Sequence, residues 1–348
     1  MSIFEKMEQY KHEQLVFGFD DATGLRTIVA VHDTTLGPAV GGTRFWDYQS
    51  EEEALYDVLR LSRGMTLKNA AAGLKLGGGK AVIIGDPSKL KSREFFHAYG
   101  RVVHSLGGKY YTAEDVNTNT ADMKYIQEAT PYVTGTPAIS GNPSPFTALG
   151  VYRGMLAGVK SRLGADSLKG LTVAIQGLGS VGFGLAQHIH DDGGRLIVYD
   201  IKKEKVDAAV TQLGAVPTET MEQLFTAECD VFSPCALGAV FSMENVGSLK
   251  CKVICGAANN VLVDSEVGKE LEGQEILYCP DYIVNAGGII NCGPEITDPV
   301  YDANAVTKRV MNIYDTTLNI IAIAREKGIS TAEAADLFAM DIVMAARK

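Results

Sequence analysis

Two lysines enclose a glycine-rich stretch with almost no charge in the first third of the chain. Lys68 and Lys80 flank the sequence N-A-A-A-G-L-K-L-G-G-G. Burying an ammonium group without a partner costs free energy, so lysines in such surroundings are expected where an anion binds. A desolvated lysine near a second cation also has a lowered pKa and can act as a base near neutral pH. The residues alone leave two interpretations open, a catalytic lysine pair or two solvated lysines beside a loop.

A pair of carboxylates and a second glycine-rich loop lie in the same half of the chain. Glu114 and Asp115 follow the run Tyr110–Ala113, which predicts a strand, and strand ends are common places for sites in α/β proteins. The segment T-L-G-P-A-V-G-G-T-R contains Gly41 and Gly42, and its glycines would allow a small ligand to approach the backbone closely. A helix cap or turn is the alternative for the acid pair, and simple turn chemistry for the loop.

The second half of the chain carries a dinucleotide-binding pattern. The sequence from Gly177 to Gly182 matches G-x-G-x-x-G between a predicted strand and a predicted helix, and the next predicted strand ends in Asp200. The glycines of such motifs allow a tight turn and let a pyrophosphate approach the helix N-terminus. Asp200 would bind ribose hydroxyls and repel a 2′-phosphate, which favours NAD over NADP, although Lys202 and Lys203 weaken that preference. The alternative is an ordinary glycine-rich turn.

Alternating strands and helices must position these groups. The main predicted strands are Leu25–His32, Lys80–Gly85, Leu171–Gln176 and Arg195–Asp200. Such alternation implies an α/β protein with a mostly parallel, doubly wound sheet. The segment Thr134–Pro145 holds three prolines and predicts a linker or hinge. Residues 303–348 predict two helices.

Length and composition narrow the class of protein. At roughly 100–200 residues per domain, 348 residues predict two domains. The net charge of −10 does not suit binding to nucleic-acid phosphates or anionic membranes. Six cysteines are too few for a disulfide scaffold, and the sequence shows no signal-peptide pattern, membrane span or metal-ligand spacing. We therefore expect a cytoplasmic protein with reduced thiols and no metal.

Seven motifs run in order along nearly the whole chain: H-D-T-T-L-G-P-A-V-G-G-T-R, G-M-T-L-K-N-A-A-A-G-L-K-L-G-G-G-K-A-V-I-I-G-D-P, A-E-D-V, G-N-P-S-P, P-C-A-L-G-A, G-A-A-N-N and P-D-Y-I-V-N-A-G-G-I-I-N. Together they resemble the Glu/Leu/Phe/Val amino-acid dehydrogenase superfamily, with the leucine dehydrogenases as the nearest branch. The resemblance implies an N-terminal α/β substrate-binding and oligomerisation domain, residues 1–134 with about 328–348, and a Rossmann-type NAD-binding domain, residues 135–327. It also implies a cleft between the domains that closes about the Thr134–Pro145 hinge.

The resemblance implies reversible, NAD-dependent oxidative deamination of an L-amino acid to a 2-oxo acid and ammonia. Lys68, with the backbone near Gly41 and Gly42, would hold the substrate carboxylate. Lys80 would be the base that activates water after hydride transfer, and Asp115 would carry protons to and from the substrate nitrogen. A non-catalytic NAD-binding protein is an alternative from another class, against which the intact lysine pair and Asp115 argue.

Further implied contacts are with the cofactor and with the substrate side chain. The residues implied to bind NAD are Gly177, Gly179, Ser180, Val181, Gly182, Asp200, Ile201, Thr147, Cys235, Ala236, Leu237, Ala258 and Asn260. The residues implied to contact substrate are Asn260, at the junction with the nicotinamide, and the side-chain pocket Val40, Ala113, Ile289 and Cys292. This pocket offers no charge to a glutamate side chain, so leucine and related branched-chain amino acids are expected, with phenylalanine as the alternative. A homo-oligomer, dimer or octamer, is also implied.

Overall fold

The computed structural model describes residues 2–135, 139–236, 238–298 and 300–347. The chain forms two compact units, each with its own β-sheet. The first unit consists of Met1–Gly141, Cys292–Tyr301 and Ala339–Lys348, and the second consists of Asn142–Asn291 and Asp302–Phe338.

The first unit is built on a five-stranded mixed sheet. Its elements up to residue 129 are α1 (Ile3–Tyr10), β1 (Gln14–Asp20), β2 (Leu25–Asp33), β3 (Ala39–Trp46), α2 (Glu51–Ala71), β4 (Gly77–Ile84), α3 (Pro87–Leu90), α4 (Arg93–His104), β5 (Tyr110–Glu114) and α5 (Thr120–Ala129). The strand order is β1-β2-β4-β3-β5. Strand β2 runs antiparallel to β1 and β4, whereas β3 runs parallel to β4 and β5. Strands β3, β4 and β5 therefore end at the same edge of the sheet.

Helix α2 covers one face of this sheet. The Ser50 hydroxyl accepts a hydrogen bond from the Glu53 amide and caps the helix, and three glutamates in the first turn suit the positive helix end. Val58 and Leu59 of α2 pack against Val82 of β4 in one buried cluster. Because side chains alternate along a strand, Lys80 lies on the same face as Val82, toward α2.

Strand β4 begins three residues earlier than the predicted strand, which started at Lys80. The added residues include Gly78, where a Cβ atom would lie 2.1 Å from the backbone nitrogen and from the Oγ1 atom of Thr66 on α2. A side chain at this position would push the helix off the sheet. The glycines are therefore part of the strand, and their lack of side chains lets α2 pack tightly on it.

The second unit is built on a six-stranded parallel sheet. The elements from residue 144 onward are α6 (Ser144–Leu163), β6 (Thr172–Gln176), α7 (Ser180–Asp191), β7 (Arg195–Tyr199), α8 (Lys203–Leu213), β8 (Val216–Pro217), α9 (Met221–Phe225), β9 (Val231–Pro234), a 3-10 helix (Val246–Ser248), β10 (Val253–Ile254), α10 (Ser265–Gly273), β11 (Leu277–Tyr278), α11 (Asp281–Val284), α12 (Gly287–Cys292), α13 (Pro294–Thr297), α14 (Ala303–Met311), α15 (Ile313–Lys327) and α16 (Thr331–Ala346). The strand order is β11-β10-β9-β6-β7-β8. Successive strands are added on one side of β6 up to β8 and on the other side from β9 onward, as in doubly wound dinucleotide-binding sheets. The predicted α/β fold class is confirmed.

The C-terminal segment differs from its prediction. Residues 303–348 were expected to form two helices, but the chain breaks at Asn312, so α14, α15 and α16 are three separate helices. The first compact unit also includes residues 292–301, and its C-terminal segment begins only after Phe338. The functional boundaries 1–134 with 328–348, and 135–327, stay a prediction. Within the described ranges, no helix is long and apolar enough to cross a membrane.

Candidate active site and dinucleotide turn

Lys80 and Asp115 lie together in the first unit. Lys80 is in the middle of β4 and is 6% exposed, and Asp115 directly follows β5. The Lys80 Nζ atom is 2.9 Å from Asp115 Oδ2. Burial raises the pKa of Asp115, but the positive charges of Lys80 and Arg44 outweigh burial and hold that pKa below its ordinary value. The site is therefore a buried ammonium group bonded to an ionised carboxylate.

Gly41 and Gly42 place bare backbone beside this pair. A Cβ atom at Gly42 would lie 2.8 Å from the Cβ atom of Asp115, and one at Gly41 would lie 1.8 Å from the carbonyl oxygen of Gly79. The buried Tyr110 hydroxyl donates a hydrogen bond to the Gly41 carbonyl at 2.6 Å. Only glycine fits such close approaches, so the predicted carboxylate-binding backbone adjoins the predicted proton-transfer pair.

Lys68 lies in the last turn of α2 and is half-buried. Its neighbour Asn69 is fully buried and donates from Nδ2 to the carbonyl oxygen of Gly77 at 2.6 Å. This bond ties the end of α2 to the start of β4. The helix turn that carries one lysine is thereby attached to the strand that carries the other.

The residues predicted to contact the substrate side chain come from three elements. Val40 and Ala113 lie on the neighbouring parallel strands β3 and β5. Cys292 ends α12, and its carbonyl accepts a hydrogen bond from Thr134 Oγ1 at 3.2 Å. Burial raises the pKa of Cys292 to about 12, so this thiol is neutral. Ile289 is a half-buried residue of α12 within the second unit.

The G-x-G-x-x-G segment forms the turn between β6 and α7. Gly177 has a φ of +94°, and a Cβ atom there would lie 2.7 Å from the Cβ atom of Ala236. A Cβ atom at Gly182 would lie 2.0 Å from the Gly177 carbonyl oxygen. Gly179 precedes α7 without a side-chain cap, and a Cβ atom there would meet no described atom within 4 Å. The outer glycines thus permit packing, and the middle one leaves open space before the helix, the place where such motifs accept a pyrophosphate.

Asp200 directly follows β7 and is bonded to this turn. Its Oδ2 atom accepts the amide hydrogen of Leu178 at 2.7 Å, and its Oδ1 atom accepts that of Lys202 at 2.8 Å. Lys205 Nζ lies 3.9 Å from Oδ2. A carboxylate has about four lone-pair sites, so this fixed group can still accept hydroxyl hydrogens. The adjacent Ile201 is 86% exposed.

The other predicted cofactor contacts lie at strand ends and helix starts of the second unit. Cys235 and Ala236 follow β9 at the point where strand order reverses, a usual ligand position in doubly wound sheets. Asn260 has a left-handed φ of +51°, and its carbonyl accepts the Ala239 amide hydrogen at 2.7 Å. The remaining ones are Thr147 in the first turn of α6, Ser180 and Val181 at the start of α7, and Ala258 after β10, whereas Leu237 lies outside the described residues.

Sequence reasoning missed two charged residues next to the lysine–carboxylate pair. Arg44 Nε is 3.3 Å from Asp115 Oδ2, and Arg44 Nη1 is 3.0 Å from Asp57 Oδ2. Alternation along β3 could have found Arg44, because it shares a sheet face with Gly42. Asp57 is on α2, far in sequence from Lys80 on β4 and from Asp115 after β5. Only the fold shows that Asp57 lies near this pair. Among the described residues, no cluster of three or more His, Cys, Asp or Glu side chains suits a metal ion.

Comparison with protein families decides the class of this chain. The model described as "Glu/Leu/Phe/Val dehydrogenase, dimerisation domain" matches residues 13–132, and "Glutamate/Leucine/Phenylalanine/Valine dehydrogenase" matches residues 144–348. The chain belongs to the Glu/Leu/Phe/Val dehydrogenase family. It is therefore an amino-acid dehydrogenase of two-domain α/β fold, a class that uses a nicotinamide cofactor, and the predicted family and enzyme class are confirmed.

Individual members of the family match over nearly their whole lengths. The leucine dehydrogenase of Thermoactinomyces intermedius is 51% identical over 100% of this chain and 95% of its own. The leucine dehydrogenase of Bacillus subtilis is 49% identical over 100% of this chain and 96% of its own. The crystal structure of L-tryptophan dehydrogenase from Nostoc punctiforme has a TM-score of 0.88 and 41% identity, with 100% of both chains covered.

Proposed function

We propose that this chain is an NAD-dependent dehydrogenase that reversibly converts L-leucine and related branched-chain L-amino acids to 2-oxo acids and ammonia. The observation that carries the proposal is the buried Lys80–Asp115 pair, 2.9 Å apart and beside the bare backbone of Gly42. Leucine dehydrogenases that are about half identical over the whole of this chain support the choice of substrate.

We assign binding of the substrate carboxylate to the part of the site that contains Lys68 and the glycine backbone of β3. Lys68 supplies the charge, and the backbone around Gly41 and Gly42 supplies donors that no side chain obstructs. The Gly41 carbonyl is already held by Tyr110, so this backbone is fixed before substrate arrives. Fixed donors cost little reorganisation during reaction, which favours turnover as well as binding.

Proton transfer is assigned to Asp115 and Lys80. Asp115 is ionised in the folded protein and can accept a proton from the substrate ammonium group, because the free amine is needed before the α-carbon is oxidised. A bound nicotinamide would supply the acceptor for the hydride that leaves that α-carbon. Lys80, after its ammonium group has released a proton to solvent, then takes a proton from the water that attacks the imino carbon. Asp115 returns its proton to the nitrogen, the C–N bond breaks as the C=O bond forms, and the hydroxyl proton passes to solvent, so that ammonia and the 2-oxo acid leave.

NAD is the proposed cofactor, and the second unit supplies its binding groups. The space at Gly179 and the uncapped start of α7 fit a pyrophosphate, and Asp200 presents a carboxylate that would accept ribose hydroxyls and repel a 2′-phosphate. We assign the further contacts to Ser180, Val181, Ile201, Thr147, Cys235, Ala236, Leu237, Ala258 and Asn260. Through these groups the protein would bind and orient the nicotinamide ring, whose own chemistry supplies the hydride transfer.

Substrate choice is assigned to Val40, Ala113, Ile289 and Cys292. All four are apolar or small, and the raised pKa of Cys292 keeps its thiol uncharged, so an aliphatic side chain is favoured over a carboxylate. One methylene changes discrimination by only about 1–3 kcal/mol, so valine and isoleucine should also react. The similarity to a tryptophan dehydrogenase favours an aromatic amino acid as the second candidate.

Initial rates with a panel of amino acids test this proposal. We expect NADH formation from leucine, valine and isoleucine to exceed that from phenylalanine and tryptophan, and NADP to be a poor substitute. A far higher kcat/KM for phenylalanine or tryptophan than for leucine would replace the proposed substrate. No activity with any amino acid would refute the proposed reaction and favour a non-catalytic NAD-binding protein.

Self-association is a further part of the proposal. Residues 13–132, a stretch of 120 residues, match a family model described as a dimerisation domain. This match supports a homo-oligomer, either a dimer or an octamer. Light scattering of the purified chain measures its mass directly, and a monomer at working concentration would contradict this part. The cytoplasmic location stays a prediction.

A further inference from the structure

Arg44 connects two carboxylates beside the proposed proton-transfer pair. Its Nε atom lies 3.3 Å from Asp115 Oδ2, the same oxygen that Lys80 contacts at 2.9 Å. Its Nη1 atom lies 3.0 Å from Asp57 Oδ2. The Arg44 side chain is only 19% exposed, so the charge is largely removed from water and its partners matter.

Asp57 is itself fixed by several donors. The Tyr48 hydroxyl donates to Asp57 Oδ2 at 2.7 Å, and Arg60 Nη2, one helical turn along α2, lies 2.7 Å from Asp57 Oδ1. Burial raises the pKa of Tyr48, and the bond to Asp57 raises it further, so the hydroxyl stays protonated and donates. Asp57 therefore anchors one end of the guanidinium group, while the other end reaches Asp115.

We propose that Arg44 is a positioning residue for the deamination reaction: anchored by Asp57, it holds the Asp115 carboxylate beside Lys80. This inference rests on the proposed function. A planar guanidinium can bind two carboxylates at fixed angles, which the single ammonium of a lysine cannot do. Without Arg44, Lys80 would be the cation left at the Asp115 carboxylate, and Lys80 is the group proposed to change its own protonation state in each cycle.

The charges around Asp115 agree with this role. Lys80 faces it from β4 and Arg44 from β3, with Asp57 and Tyr48 behind the arginine. Burial raises the pKa of Asp115, and Lys80 and then Arg44 lower it by more. Asp115 accepts a substrate proton only as a carboxylate. Removing the arginine charge should therefore shift the titration of Asp115 upward.

Three variants separate charge from geometry. Arg44→Met removes the positive charge and the bridge between Asp57 and Asp115. We expect kcat for leucine to fall by about 10–100-fold, with KM changed by less than about threefold. Arg44→Lys keeps the charge but not the two-ended bridge, so kcat should fall by about 3–10-fold. Arg26→Met removes an exposed arginine that pairs with Glu51 at 3.6 Å in the same unit, and it should leave kcat unchanged.

A titration of the Asp115 carboxyl provides a readout that is independent of turnover. Carbon-13 NMR of labelled aspartates, with Asp115→Asn to identify the resonance, should show the Asp115 midpoint about 1–3 units higher in Arg44→Met than in the unmodified protein. Arg26→Met and Arg44→Lys should leave the midpoint within about half a unit. Far-UV circular dichroism confirms that each variant is folded.

Each outcome decides one of the two proposals. An unchanged Asp115 midpoint together with an unchanged kcat in folded Arg44→Met overturns the role of Arg44. If Arg44→Met does not fold, a kcat of Arg44→Lys within about twofold of the unmodified enzyme overturns it instead. If the unmodified chain does not oxidise any amino acid, the proposed function fails, and the NMR titration alone then decides whether Arg44 controls Asp115.

Discussion

The two units of this dehydrogenase prepare for their ligands by different means. In the first, buried side-chain charges form the proposed proton-transfer site, and glycines such as Gly78 and Gly42 let helix and strands pack close to those charges. In the second, backbone shape forms the proposed cofactor site, and Gly179 leaves open space before a helix. Glycines thus permit close packing in both units, and Gly179 in addition leaves the open space proposed for a ligand. Charge changes should therefore alter turnover, and shape changes should alter cofactor affinity.

Loss of the buried lysine should have the largest effect. Lys80→Ala is expected to lower kcat by about 10²–10⁴-fold, because a positioned base contributes that much to proton transfer. The Kd for NADH should stay within about twofold, since the change lies in the first unit. Initial rates and NADH fluorescence titration measure the two quantities.

Lys75→Ala is the matched control, since Lys75 is an exposed lysine of the same glycine-rich stretch. It should retain the activity of the unmodified enzyme. If Lys80→Ala and Lys75→Ala had the same kcat, the buried lysine would have no part in the mechanism. The claim that buried charges of the first unit determine turnover would then be wrong.

Filling the space at Gly179 should weaken cofactor binding without destabilising the fold. A methyl group there meets no described atom, but it would occupy the proposed pyrophosphate position. We expect Gly179→Ala to raise the Kd for NADH by about 10–100-fold, or about 1.4–2.8 kcal/mol, with an unchanged Tm. Gly247→Ala, another glycine with open surroundings, should change neither quantity. Equal NADH affinity in the two variants would contradict the assignment.

Packing glycines of the first unit should behave in the opposite way. A Cβ atom at Gly78 would lie 2.1 Å from Thr66 atoms, so Gly78→Ala should reduce the free energy of unfolding by about 1–3 kcal/mol through overpacking. Gly64 lies on the same helix as Thr66 with open surroundings. Gly64→Ala should instead stabilise the protein by about 0.5–1 kcal/mol. Denaturant unfolding distinguishes them, and a stabilised Gly78→Ala would be incompatible with the described packing.

Acid should destabilise the first unit through two buried histidines. Burial lowers the pKa of His12 to about 3 and that of His32 to about 4, and their rings lie 4.8 Å apart. The unfolded chain binds more protons below about pH 6.5, so stability should be constant above that value and fall as pH drops toward 4.

We expect each of these histidines to cost about 1 kcal/mol at about pH 5.5 relative to about pH 7.5. Denaturant unfolding of His32→Asn at the two pH values should show a smaller loss than the unmodified protein. His190→Asn, which changes an exposed histidine of the second unit, should keep the full loss. Identical pH dependence in all three proteins would show that the histidines are not responsible.

The sequence predicted local features well because their causes are local. The turn from Gly177 to Gly182 needs glycine at fixed offsets, and a run of apolar residues is sufficient to indicate β6 or β7. The start of β4 was missed because glycines at 77–79 suggest a loop, and only the packing of Thr66 on Gly78 explains why they form a strand.

Long-range features escaped prediction for a physical reason. The link from Asp57 through Arg44 to Asp115 joins α2, β3 and the end of β5, and no spacing in the sequence encodes which strands become neighbours. The resemblance to amino-acid dehydrogenases supplied the roles of Lys80 and Asp115. It gave no role to Arg44, which emerged only from the side-chain geometry.

Product analysis with L-leucine and NAD tests the central claim most directly. The unmodified enzyme should form NADH, ammonia and the corresponding 2-oxo acid in equal amounts, and Lys80→Ala should form almost none of the three while still binding NADH. NADH formation without ammonia, or no NADH from leucine under conditions where another amino acid reacts rapidly, would contradict the account.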